Sequence, residues 1–231
     1  LKRGIPFVNV PTSLLAMVDA SVGGKNGINF AGLKNQLGTF TQPNYVLIDP
    51  DFLTSLPQQE WESGHAEMLK HALLSGTNWV EALQLEPATL ALYEIQQSVA
   101  FKAAIVREDF KETGKRKVLN LGHTTGHAWE SYAAVSGNPC THGAAVIQGL
   151  HVALLLSGLQ DEQYALAKRY PWIKVEDDAL TPLWERQLQD KKNTHGEVRY
   201  VLLEELGKPI WDVQITREQW TQAVSALNSA S

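Results

Sequence analysis

The stretch Asn120-Leu-Gly-His-Thr-Thr-Gly-His127 holds the densest concentration of reactive side chains in the chain. On a helix, His123 and His127 stand at i and i+4, so both imidazoles project from one face. Two imidazole nitrogens and a carboxylate make an open metal site, with a position left for water or substrate. The plainer reading of the same spacing is a pair of part-buried histidines satisfied by backbone carbonyls. Glu67 and Lys70 lie three apart on an otherwise apolar helical stretch. A carboxylate buried there needs a cation, which could be Lys70, His71 or a metal; on the surface the pair is an ordinary i,i+3 salt bridge. His142-Gly143 opens a further apolar helix, where an imidazole can turn inward. Spacing alone does not select three ligands from Glu67, His71, His123, His127, His142 and His151.

Lysines in glycine-punctuated loops form a second group: Gly23-Gly24-Lys25 and Lys34-Asn35. Glycine lets a backbone approach an anion, and lysine supplies a point charge suited to phosphate. The Walker A spacing is absent. Singly, each of these lysines reads as a solvated surface charge, and Asp190-Lys191-Lys192-Asn193 reads as a solvated turn.

The elements that must carry these groups fall into two regimes. Residues 5–50 hold strand-like runs at Phe7–Val10 and Tyr45–Ile48 with glycines between them, and Thr12 or Ser13 can cap a short helix over Leu14–Val18. From residue 51 the pattern is helical. Pro57 suits the first turn of a helix running to Leu74, and a second helix follows Pro87 with an apolar stripe from Leu90 to Val106. Helices are predicted over Gly122–Val135, His142–Leu156, Asp161–Arg169, Pro182–Gln189 and Arg217–Leu227, with a short strand or extended arm at Arg199–Leu203. The expected organisation is residues 1–50 as the last strands of an α/β nucleotide-binding domain and 51–231 as an α-helical metal- and substrate-binding domain, mainly α as a whole.

Hydrophobic residues make up 44% of the 231, an ordinary share for a globular core. A net charge of -5 and the lack of any polybasic run argue against a nucleic-acid partner. The single cysteine, Cys140, excludes an internal disulfide and fits a reducing, cytoplasmic setting. No apolar run approaches the roughly 20 residues that a membrane-spanning helix needs. The chain opens at Leu1, within four residues of a strand-like run, which reads as a piece of a longer polypeptide.

Taken in order, the motifs resemble the 3-dehydroquinate synthase family. The matching segments are Arg3-Gly-Ile-Pro-Phe, Pro11-Thr-Ser-Leu-Leu-Ala, Val18-Asp-Ala-Ser-Val-Gly-Gly-Lys25, Gly27-Ile-Asn, Lys34-Asn35, Ala66-Glu-Met-Leu-Lys70, Leu119-Asn-Leu-Gly-His-Thr-Thr-Gly-His-Ala128 and Asp190-Lys-Lys. The resemblance implies conversion of 3-deoxy-D-arabino-heptulosonate 7-phosphate to 3-dehydroquinate and phosphate, with NAD and a divalent metal, zinc being usual and cobalt the alternative. It implies Glu67, His123 and His142 as metal ligands, with His127 touching substrate instead. Lys25, Asn35, Lys70, Arg116 and a lysine of Lys191-Lys192 would cradle phosphate and carboxylate. Asp19, Lys34, Lys102, Glu112 and Asn120 would complete the site, and Arg3 would come from the neighbouring subunit of a homodimer. Thr12, Leu15, Asp19, Lys34, Phe52 and Leu56 match positions lining an NAD pocket. Two departures stand out: Gly143-Ala144 follows His142 where many members have Gly-Glu, and Asn138–Thr141 lengthen the loop before it. The glycine-rich nucleotide-binding segment expected ahead of Leu1 is not in the sequence, so the chain is expected not to turn over by itself. Competing readings are another sugar-phosphate cyclase, a related metal-dependent polyol dehydrogenase, and a non-catalytic metal- or anion-binding helical module.

Overall fold

The computed structural model describes residues 4–30, 33–189 and 197–230. Its architecture is mainly helical, with small two-stranded sheets. The chain divides into two compact units, Leu1–Gly64 with Glu86–Arg116, and His65–Leu85 with Lys117–Ser231. The first unit therefore runs beyond residue 50 and also takes in the helix that follows Pro87.

In the first unit, β1 (Val8–Asn9) pairs in parallel with β4 (Tyr45–Val46), while β2 (Lys25–Phe30) and β3 (Leu33–Phe40) form an antiparallel hairpin. Lys25, Lys34 and Asn35 thus lie on strands, not in the loops expected for them. The hairpin has little apolar alternation to announce it. It closes through Gly27 opposite Gly38, where a Cβ on Gly38 would stand 2.3 Å from the Asn26 carbonyl oxygen. Ser13, rather than Thr12, caps the short helical segment that follows, its Oγ accepting from the Ala16 N–H at 3.3 Å. That segment continues as a π-helical turn, Ala16–Ala20, packed on α3 (Leu92–Glu108).

The helix α1 (Gln58–Ser75) carries the division between the units, and Pro57 precedes it as expected, its carbonyl accepting from Glu60 and Trp61. In the second unit come α2 (Trp79–Leu83), α4 (His123–Val135), α5 (His142–Leu156), α6 (Gln160–Arg169), α7 (Asp177–Leu188) and α8 (Arg217–Ala230). The short α2 has no counterpart in the sequence reading. The strand β5 (Val198–Leu203) pairs antiparallel with β6 (Pro209–Ile215), a partner also missing from it. At the centre lies α5, in which every residue from Gly143 to Leu154 except Ala144 is buried. It packs against α4, α6, α8 and β5, so the unit's apolar core is built around one hydrophobic helix.

Candidate metal centre and neighbouring side chains

The turn before α4 and the body of α5 approach closely, and glycine makes this possible. A Cβ on Gly149 would lie 1.7 Å from the Gly122 carbonyl oxygen, and one on Gly126 would lie 3.0 Å from the Ala145 carbonyl oxygen. Gly122 itself precedes α4 with φ 76, a left-handed conformation that glycine adopts without penalty. At α5, the Thr141 hydroxyl accepts from the Ala144 N–H at 3.2 Å and fixes the first turn. His123 and His142, the first residues of the two helices, are thereby set with ring centroids 5.4 Å apart.

Glu67 of α1 faces both histidines. Its Oε1 lies 3.6 Å from Nε2 of His123 and 3.4 Å from Nε2 of His142. Those separations exceed a normal hydrogen bond, and among the described residues neither oxygen of this fully buried carboxylate accepts one in good geometry, the ion pair of Oε2 with Lys70 apart. Two ligands each about 2.1 Å from a tetrahedral ion stand about 3.4 Å apart, so the spacing is that of donors sharing one cation. The His123 tautomer agrees: Nδ1–H can donate to the Leu121 carbonyl at 3.1 Å, leaving the Nε2 lone pair toward Glu67. All three donor atoms lie within 4.8 Å of one another. A carboxylate and two imidazoles in this arrangement fit a divalent metal with a coordination position to spare.

Charge around the trio is balanced locally. The Lys70 ammonium pairs with Glu67 Oε2, both side chains being buried, so this is not a solvated surface bridge. Burial would by itself raise the Glu67 carboxyl; Lys70, then His142 and His71, outweigh it and hold the group well below the usual carboxylate range. Burial likewise acts to lower His142, but Glu130 and Glu67 lift it to about 9. Glu130 was missed in the sequence. Its Oε2 lies 3.5 Å from His142 Nδ1, on the side away from Glu67. The signal was legible, because on α4 Glu130 stands three residues after His127 and seven after His123, on the same face. His127 adjoins the trio, with its ring 5.2 Å from that of His123 and 6.1 Å from that of His142. Asn120, half-buried, ends the turn before α4. His151 is not among the facing donors. Its Nε2–H donates to the Tyr170 carbonyl at 2.8 Å and its Nδ1 accepts from Gln163 at 3.1 Å.

The first unit gathers a different set. The buried Lys102 ammonium donates to Asp19 Oδ1 and to the Asp19 carbonyl, each at 2.6 Å. Lys25 forms an ion pair with Glu112. Arg116 donates to the Gly23 carbonyl at 2.9 Å and the Phe110 carbonyl at 2.6 Å. What Gly23 admits is therefore this guanidinium, 2.4 Å from where its Cβ would be, while the Phe110 ring comes within 3.0 Å of a Gly24 Cβ. Burial lowers the Arg116 pKa from its ordinary value, with Asp109 and Asp19 opposing. Thr12 and Phe52 are exposed, and Leu15 and Leu56 half-buried. The side chains of Lys34 and Asn35, and all of Arg3, Lys191 and Lys192, lie outside the described residues.

Residues 1–63 match the sequence family described as 3-dehydroquinate synthase N-terminal, and residues 64–194 match 3-dehydroquinate synthase C-terminal. The chain belongs to the 3-dehydroquinate synthase family. A 3-dehydroquinate synthase of Leptospira interrogans is 42% identical over 237 residues, covering 96% of this chain; the chain spans 65% of that relative's length. Among solved structures, 2-deoxy-scyllo-inosose synthase complexed with carbaglucose-6-phosphate, NAD+ and Co2+ is similar with TM-score 0.80 and 21% identity, over 97% of this chain and 67% of that one. The 2-epi-5-epi-valiolone synthase of Streptomyces hygroscopicus with NAD+ and Zn2+ bound follows with TM-score 0.78 and 24% identity, over 100% and 68%. At these identities the two structures speak for the fold.

Proposed function

We propose that the chain carries the metal- and substrate-binding part of a 3-dehydroquinate synthase, acting on 3-deoxy-D-arabino-heptulosonate 7-phosphate with NAD and Zn2+ or Co2+. The observation that carries this reading is the facing of Glu67, His123 and His142 in a chain of this family. Bound there, the metal would polarise a substrate oxygen and stabilise the negative charge that develops on it. The protein's own groups account for the rest. Lys70 holds Glu67 ionised and ready as a ligand, and Glu130 orients the His142 ring. His127 stands beside the trio as a proton carrier for substrate. Lys25, Asn35, Lys70, Arg116 and one lysine of Lys191-Lys192 would cradle phosphate and carboxylate, the cations neutralising charge and the asparagine donating hydrogen bonds. Asp19, Lys102, Glu112 and Asn120 would orient the substrate and these cations.

On this reading residues 1–50 are strands of an NAD-binding α/β domain, with Thr12, Leu15, Asp19, Lys34, Phe52 and Leu56 on the cofactor side. Arg3 would serve the partner of a homodimer, and the enzyme would work in the cytoplasm without nucleic acid or membrane. Among the described residues no helix is long and apolar enough to cross a membrane. The 42% identity to a 3-dehydroquinate synthase, against 21% and 24% to the two other cyclases, favours the dehydroquinate reaction. The test is phosphate release by the full-length polypeptide, given NAD, metal and either this substrate or glucose 6-phosphate. Release from the heptulosonate phosphate alone is expected; release from glucose 6-phosphate alone would overturn the assignment.

A further inference from the structure

Residues 109–116, at the end of α3, form a tight loop within the first unit, and one carboxylate organises it. Asp109 Oδ1 accepts from the Thr113 N–H at 3.0 Å and the Thr113 hydroxyl at 3.3 Å. Asp109 Oδ2 accepts from the Gly114 N–H at 2.7 Å and the Arg116 N–H at 3.0 Å. The Asp109 N–H in turn donates to the Ile105 carbonyl at 3.0 Å, which anchors the loop to the last turn of α3. Inside this loop Glu112 has φ 60, a left-handed conformation that residues other than glycine seldom adopt. Such a conformation persists only where its surroundings over-determine it. Here the over-determination is visible, because the residue directly after Glu112 gives both its N–H and its hydroxyl to Asp109. With the backbone so held, the Glu112 carboxylate meets the Lys25 ammonium.

The geometry points to Asp109 as a positioning residue that holds Glu112 in its strained conformation and so sets the Glu112–Lys25 pair for the reaction. This rests on the reading above, in which Glu112 and Lys25 serve the substrate. Only an ionised carboxylate offers acceptors on both oxygens to three N–H groups and a hydroxyl; asparagine would turn a donor toward two of them. Burial acts to raise the Asp109 carboxyl, and the N–H groups of Gly114, Thr113 and Arg116 reverse that and hold it below the usual value, so the acceptor stays charged near neutral pH.

A double-mutant cycle on the full-length polypeptide tests the inference, with kcat and KM for phosphate release measured for Asp109→Asn, Glu112→Gln and the pair. Asp109→Asn is expected to lower kcat at least about tenfold, as loss of charge-assisted hydrogen bonds at a reacting group would. In the Glu112→Gln background the same change should lower kcat by no more than about threefold, because residues acting through one another are not additive. Multiplying effects would make Asp109 a general prop of the fold and overturn the inference. So would an unchanged kcat in Asp109→Asn beside a large loss in Glu112→Gln. An unchanged kcat in Glu112→Gln would instead refute the role of Glu112 itself, and the inference with it. Should Asp109→Asn fail to fold, Asp109→Glu replaces it in the cycle, being charged yet too long to serve both sides of the loop.

Discussion

Gly149→Ala is the substitution at which packing and metal chemistry are most tightly joined. In an ordinary helix the change would stabilise, since alanine is favoured over glycine by about 1 kcal/mol. At this position the new Cβ would fall 1.7 Å from the Gly122 carbonyl oxygen and 2.9 Å from the Gly126 nitrogen. Cβ contacts below 3.0 Å are essentially never seen, so α5 and the turn before α4 must separate by at least the difference, 3.0 − 1.7 = 1.3 Å. The obstacle is backbone, so no rotamer change avoids it. Overpacking costs typically 1–3 kcal/mol, and a clash this deep belongs at the upper end, leaving a net loss of about 2 kcal/mol. For a domain of this size that lowers Tm by roughly 4–8 °C. The displacement also moves His123 away from His142, and metal sites tolerate only about 0.2 Å. Zn2+ affinity, measured by chelator competition, should therefore fall at least about a hundredfold. Gly137→Asn is the control, because Gly137 has φ +80 and, among the described residues, no neighbour within 4 Å of a Cβ. It should leave Zn2+ affinity unchanged. Gly149→Ala with native Tm and native Zn2+ affinity would refute the reasoning that this approach builds the site.

Two further outcomes follow from the titrating groups. Burial holds His151 down at about 4, with the Tyr170 carbonyl opposing, against about 6.5 when unfolded. Its neutral form therefore supports the fold fully above pH 6.5, and that support, about 3 kcal/mol, is lost as pH falls toward 4. Denaturant titrations of His151→Gln should show a shallower decline between pH 6.5 and 4 than the native chain; parallel curves would contradict this. At the metal trio, the proton on His142 competes with the metal, so affinity in the native chain should climb as pH rises from 7 toward about 9. Glu130→Gln removes one group that raises His142, and should flatten that climb while lowering the high-pH limit of affinity about 10–100-fold. An unaltered pH profile would show that Glu130 does not act on His142.

The helical half of the molecule was the more legible in the sequence. The long apolar run opened by His142-Gly143 gave α5 its bounds, His142–Leu156, directly, while the Thr141 cap showed only in the structure. At α7 the reading began the helix at Pro182, the usual place for proline. The helix instead starts at Asp177 and carries Pro182 inside, because acidic residues in its first turn and the burial of Ala179 favour the earlier start. The β2–β3 hairpin escaped notice because Lys25–Phe40 is rich in glycine and asparagine, and its register depends on the Gly27–Gly38 approach, which no periodicity reports. Histidine spacing left six possible ligands. The choice among them is made by the tertiary approach of three helices, and in the sequence only the family resemblance pointed to it. Asp109 and Glu130 were passed over because a single carboxylate looks like solvent-facing charge until its partners are seen.

The most direct test of the account is the metal content of the purified protein and of single alanine variants. One divalent ion per chain is predicted, lost in Glu67→Ala, His123→Ala and His142→Ala and retained in His127→Ala. Loss of the ion in His127→Ala together with its retention in His142→Ala would contradict the assignment of the centre.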